Sequence, residues 1–135
     1  MRSTRLSLIA ALAMALPACS SPESSHPDLS GHWRGEARIP TTGLPTPLNM
    51  DLTDMAGILT GSGGGVDCRV FATCGSFFSY MVRGSHTDKT IILQGITPEG
   101  RSWTATGTLG ADGRSMSGTL SSADFPTSPW SMSRT

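Results

Sequence analysis

From Gly31 onward the chain alternates apolar and polar residues almost without a break, and this alternation restricts the fold more than any other feature. Trp33, Gly35, Ala37 and Ile39 fall on one side of a first extended segment, with His32, Arg34, Glu36 and Arg38 on the other. Successive side chains on a strand point to opposite faces, so a two-residue period predicts a sheet with one dry and one wet face. Thr41 to Pro47 reads as a loop. Leu48, Met50 and Leu52 then alternate with Asn49, Asp51 and Thr53 in a second strand, and a turn near Met55 to Gly57 leads to a third over Ile58 to Ser62.

Gly61 to Ser76 contains Gly63-Gly64-Gly65 and reads as the longest irregular stretch. Phe77 to His86 and Lys89 to Thr97 form a fourth and fifth strand about a tight Thr87-Asp88 turn. Trp103, Ala105, Gly107 and Leu109 mark a sixth, and Ala111-Asp112-Gly113 a hairpin turn. Met116, Gly118 and Leu120 mark the seventh. After a proline-containing loop, Trp130, Met132 and Arg134 mark the eighth. The connections are too short for crossover helices, so sequential strands pair antiparallel. An eight-strand meander with one apolar face closes into an up-and-down barrel, which removes exposed sheet edges. A flattened sandwich is the alternative all-β arrangement, and no helix longer than one turn is expected after residue 31.

The first 30 residues follow different rules. Arg2 and Arg5 precede an apolar run from Leu6 to Leu16 broken only by Ser7, and small Ala18 stands directly before Cys19. The run is too short to span a hydrocarbon core, which takes roughly 20 residues, and reads as a cleaved secretory signal over 1–18. Leu16-Pro17-Ala18-Cys19 resembles the lipobox of bacterial lipoproteins. That resemblance implies diacylglycerol on the Cys19 sulfur, a further acyl chain such as palmitate on its new amino terminus, and a membrane as partner. Ser20 stands where an inner-membrane retention signal would carry Asp, which implies the periplasmic face of the outer membrane in a Gram-negative host. Residues 19–30, rich in Ser and Pro, read as a tether, with the folded domain over 31–135.

Charge excludes some partners. Ten basic and ten acidic side chains cancel, and the basic ones are scattered singly, so neither nucleic acid nor an anionic surface is implied. With Cys19 acylated, Cys68 and Cys74 remain as a pair in an oxidising compartment, where a disulfide pinning the glycine-rich loop is expected. A metal held by these cysteines with Asp67 and His86 is the sharper alternative, but the spacing is not that of a ligand set and no metal or other cofactor is expected.

Gly31-His32-Trp33 at the head of the first strand resembles the G-x-W signature of the calycin barrels, the lipocalins and avidins. The resemblance spans about residues 31 to 134, including the paired Gly107-Thr108 and Gly118-Thr119. It implies that the first and last strands are neighbours, that Trp33 plugs one barrel end, and that Arg134 covers its ring. It carries no ligand with it.

Trp33, Met50, Trp103, Met116, Trp130 and Met132 form the inward set. Such side chains either pack a barrel of this size or line an apolar pocket, and the shortness of the strands favours packing. Should a cup remain open, Trp103, Trp130, Met50 and Met132 are its expected walls. Gly35, Gly95, Gly107 and Gly118 either hold it open or permit strand curvature. Catalytic residues are not expected. The glycine cluster lacks the Lys-Ser/Thr of a phosphate-binding loop, there is no G-x-S-x-G elbow, His32 and His86 read as solvated, and Asp51 and Asp54 lie on different sides of a strand. Two functions fit: a barrel carrying a small hydrophobic ligand, or a non-enzymatic, inhibitor-like accessory that binds an envelope protein through the pinned loop 61–76.

Overall fold

Eight amphipathic strands must bury eight apolar faces at once, and closing the sheet on itself does so without a second layer. The computed structural model describes residues 26–38, 45–67 and 76–135. Its strands are β1 (Gly31–Arg38), β2 (Pro45–Met55), β3 (Ile58–Asp67), β4 (Ser76–His86), β5 (Thr90–Ile96), β6 (Ser102–Leu109), β7 (Ser115–Ser122) and β8 (Phe125–Arg134). Each pairs antiparallel with the next, and β8 returns to β1 to close the barrel. Among the described residues there is no helix, and the sandwich alternative is set aside.

Closure is fixed by register. Trp33 lies opposite Arg134 and Ala37 opposite Trp130 across β1 and β8. Trp33 also lies opposite Met50 across β1 and β2. The inward face carries Trp33, Ala37, Met50, Leu52, Leu59, Tyr80, Val82, Leu93, Met116, Trp130 and Met132, all buried. Asp51 points outward and Asp54 inward, as their spacing requires.

Several sequence expectations are corrected. The third strand does not end at Ser62; it runs through Gly63, Gly64 and Gly65 to Asp67, paired with β4 along its length and with β2 as far as Gly65. Only 68–75 of the expected irregular stretch lies between strands. The second strand starts at Pro45, and the eighth at Phe125, within its expected proline loop. Pro129 is tolerated on an exposed position near the register shift between Leu120 and Ser122. Leu29, placed in the tether by composition, is fully buried in the core. His86 is buried on the inward face, not solvated on the outer one. Cys19, Cys68 and Cys74 lie outside the described residues, as do residues 68–75 of the connection expected to bind a partner.

The two barrel ends differ. At one end stand the turns β2–β3, β4–β5 and β6–β7, together with residues 26–30. Here Trp33, Leu29, Leu59, Val82, Ile91 and Met116 pack solidly. At the other end, among the described residues, the β5–β6 and β7–β8 connections flank an opening.

Candidate functional site

The closed end is sealed by polar bonds around an indole. Trp33 has no exposed surface, and its Nε1–H donates to Leu29 O at 3.0 Å. Arg134 stands across the sheet junction with Cζ 5.2 Å from the centre of the Trp33 ring. The same guanidinium donates to Ser30 O at 2.8 Å and to Asp28 O. One side chain thus ties the last strand, the plug and the N-terminal segment together. Cation–π contact of this kind contributes about 0.5–2 kcal/mol, more when water is excluded.

Beside the plug lies a buried pair that the sequence does not announce. His86 Nε2 is 2.6 Å from Asp54 Oδ2, with side chains 0% and 4% exposed. His86 Nδ1 faces Thr87 O at 2.9 Å. Burial alone would raise the Asp54 carboxyl, but donation from the backbone N–H of Leu29 and Gly57 and from His86 outweighs it and holds the group below its usual range. Asp54 N donates in turn to Ser30 Oγ at 2.9 Å. The cluster docks residues 29–30 and braces the β2–β3 turn. Its polar atoms are engaged with one another, at the end away from the opening. Among the described residues no group of three or more metal-ligating side chains stands together.

The open end holds a cavity of about 290 Å³. Its wall is aromatic: Trp103, Trp130, Tyr80 and Phe78 line it, with Met50, Leu93 and Met132 toward the packed half. All four residues expected to line a cup therefore do so, while the packed-interior expectation describes only the half around Trp33. Tyr80, Phe78 and Thr46 were not anticipated. Tyr80 could have been read from its place two residues before Val82 on one face of β4, but its distance from the other aromatics in sequence hid the cluster.

Glycines explain why large rings leave space. Trp103 lies opposite Gly95, Tyr80 opposite Gly63, Phe78 opposite Gly65 and Trp130 opposite Gly118. A Cβ on Gly95 would stand 2.0 Å from the Trp103 ring, and one on Gly63 would stand 2.6 Å from Tyr80. Trp103, Tyr80 and Phe78 fold sideways over the glycine opposite. Trp130 reaches past Gly118 to Gly107, where a Cβ would stand 2.9 Å from its ring. Each becomes wall, not filling. Tyr80 and Trp103 then meet edge to face, with centroids 5.1 Å apart at 88°.

The polar tips of Tyr80 and Trp130 are directed into the sheet. Tyr80 Oη donates to Asn49 O at 2.9 Å, and burial pushes its phenol well above the ordinary range. Trp130 Nε1 donates to Thr106 O at 3.3 Å. Glu99, Arg101 and Asp124 ring the mouth, exposed to water. This is an apolar recess with a polar rim, the form of a small-molecule site.

The molecule is thus a closed eight-stranded antiparallel barrel, plugged at one end and cupped at the other. It is similar in fold to a redesigned β-barrel, with a TM-score of 0.67, 14% identity, and coverage of 83% of this chain and 98% of that one. The redesigned β-barrel mFAP1, bound to DFHBI, gives a TM-score of 0.65 at 13% identity over 78% of this chain and 94% of that one. No family model matches the sequence, and no curated protein matches it.

Proposed function

We propose that this chain is an envelope lipoprotein whose barrel carries a small hydrophobic ligand in its cup and performs no catalysis. The observation that carries the reading is the aromatic-walled cavity of about 290 Å³ with a charged rim. A barrel packed for stability alone would close that space, since an unfilled apolar cavity costs stability in proportion to its volume. The bound small molecule of the similarly folded mFAP1 lends support to carriage by this architecture.

Anchoring through Cys19 fits the same reading. Residues 26–30 run along the plugged end, where His26 pairs with Asp88 at 2.9 Å and Leu29 N reaches Asp54. His26, the first described residue, therefore stands at the end opposite the mouth. A cup so placed opens away from the membrane and takes its ligand from the aqueous side of the outer membrane.

Titration of the mature protein with a panel of apolar probes, read by tryptophan emission, tests the binding role. Saturable changes from Trp103 and Trp130 are expected with at least one compact probe, and a flat response across the panel would contradict it. Incorporation of labelled palmitate that disappears in Cys19→Ser is the expected result for the anchor; label retained in that variant would contradict it.

A further inference from the structure

We infer that the cup selects a rigid, two-ring aromatic molecule bearing a hydroxyl or carbonyl group, which hydrogen-bonds to Thr46. The inference rests on the ligand-carrying reading of the cup and adds the chemistry of the occupant.

Thr46 supplies the polar half of the argument. It lies on β2 opposite Ala37, which in turn lies opposite Trp130, so it joins the wall two strands from that residue, whose ring turns the other way toward Gly107 on β6. It is 4% exposed and lines the cavity, yet its Oγ1 has no hydrogen-bond partner among the described residues. A buried hydroxyl left without a partner is costly, and native interiors rarely keep one. Among the described residues the other buried polar side-chain atom without a partner is Arg134 Nε, which lies at the plugged end beside the Trp33 ring and away from the cavity. Nothing among the described residues accounts for Thr46. The neighbouring polar tips, Tyr80 Oη and Trp130 Nε1, are both committed to backbone carbonyls. Thr46 Oγ1 is sealed from the cavity as it stands, and a turn about Cα–Cβ would present it there, which makes the residue a handle for a ligand; a hydroxyl can donate or accept.

Shape supplies the rest. The cavity is about twice the roughly 150 Å³ engineered space that admits benzene, which leaves room for two fused rings. Its walls are flat because the rings of Trp103 and Tyr80 lie over glycines, and the two planes meet nearly at right angles. A planar ligand stacks on one face and meets the edge of the other. A flexible acyl chain gains less from flat walls and loses rotor freedom on entry.

Three probes of similar apolar size separate these elements on the full mature chain: naphthol, naphthalene and decanol, with affinities from tryptophan emission and calorimetry. Naphthol is expected to bind about tenfold more tightly than naphthalene, the increment of one buried hydrogen bond. Thr46→Val, which keeps the shape and removes the hydroxyl, is expected to abolish that preference while naphthalene binding persists; Thr46→Ser is expected to retain it. Equal affinities in the unmodified protein, or a preference that survives Thr46→Val, would overturn the role of Thr46 while leaving a ligand-binding cup. Decanol binding more tightly than naphthol would overturn the rigid aromatic class. Binding of none of the three would overturn the carriage reading itself, and this inference with it.

Discussion

The indole of Trp103 lies directly over the backbone of Gly95 on the adjacent strand, with ring atoms 2.0 Å from where a Cβ would stand. This contact decides whether the ring is wall or filling. Gly95→Ala is expected to swing the indole into the cavity, destabilise the barrel by about 1–3 kcal/mol and weaken probe binding. Near-ultraviolet circular dichroism and urea unfolding check both effects. An unchanged aromatic spectrum would show that the ring does not depend on the glycine.

Arg134 closes the other end. Replacing it with Met keeps the aliphatic stem and removes the charge over Trp33 together with donation to Asp28 O and Ser30 O. The expected cost is about 2–3 kcal/mol in urea unfolding, from the charged hydrogen bonds and the ring contact combined. Residues 28–30 should at the same time lose amide protection in hydrogen exchange. Protection equal to that of the unmodified protein would remove Arg134 from the docking of that segment.

Acid should loosen the Asp54 cluster. The Asp54 carboxyl is held below its ordinary value of 3.8, so ionisation favours the folded state. Its contribution is complete above the unfolded value and is lost as pH falls through the lower folded value. Stability should therefore fall as pH drops below about 4, with part of the fall due to this group. Asp54→Asn should flatten that part of the profile and cost roughly 3 kcal/mol at neutral pH, where His86 loses its buried partner. Parallel stability profiles for the two proteins would contradict this assignment.

Ala56 occupies a left-handed conformation, φ 55°, ahead of Gly57 at φ 88°, in the two-residue turn between β2 and β3. Such a hairpin turn takes positive φ at both central residues and favours Asn-Gly. Ala56→Asn should raise stability by about 0.5–1 kcal/mol, seen as a higher urea midpoint at unchanged slope. A lower midpoint would mean that the turn is not strained at that residue.

What the sequence made legible follows from where side chains carry information. Alternation located Trp33, Met50, Trp103, Trp130 and Met132 on one face, and short connections made the meander and its closure readable. Gly63, Gly64 and Gly65 erased the pattern because they have no side chains to alternate; the missing bulk comes from Tyr80 and Phe78 across the sheet. Pro126 and Pro129 hid the start of β8, since proline usually marks a break. His86 looked solvated because its partner, Asp54, is 32 residues away. Leu29 lacked any periodic context. Thr46 sat within a predicted loop, and its missing partner is a property of three-dimensional packing that no spacing encodes.

The central claim is that the space beneath the charged rim is a binding site, and filling it from within tests this most directly. Ala105 is buried on β6 and lines the cavity, so Ala105→Phe should occupy the cup while the barrel stays folded. The measurement is calorimetric titration of both proteins with naphthol. The account predicts saturable binding to the unmodified protein and none to a folded Ala105→Phe variant; equal binding to both would place the ligand elsewhere and contradict it.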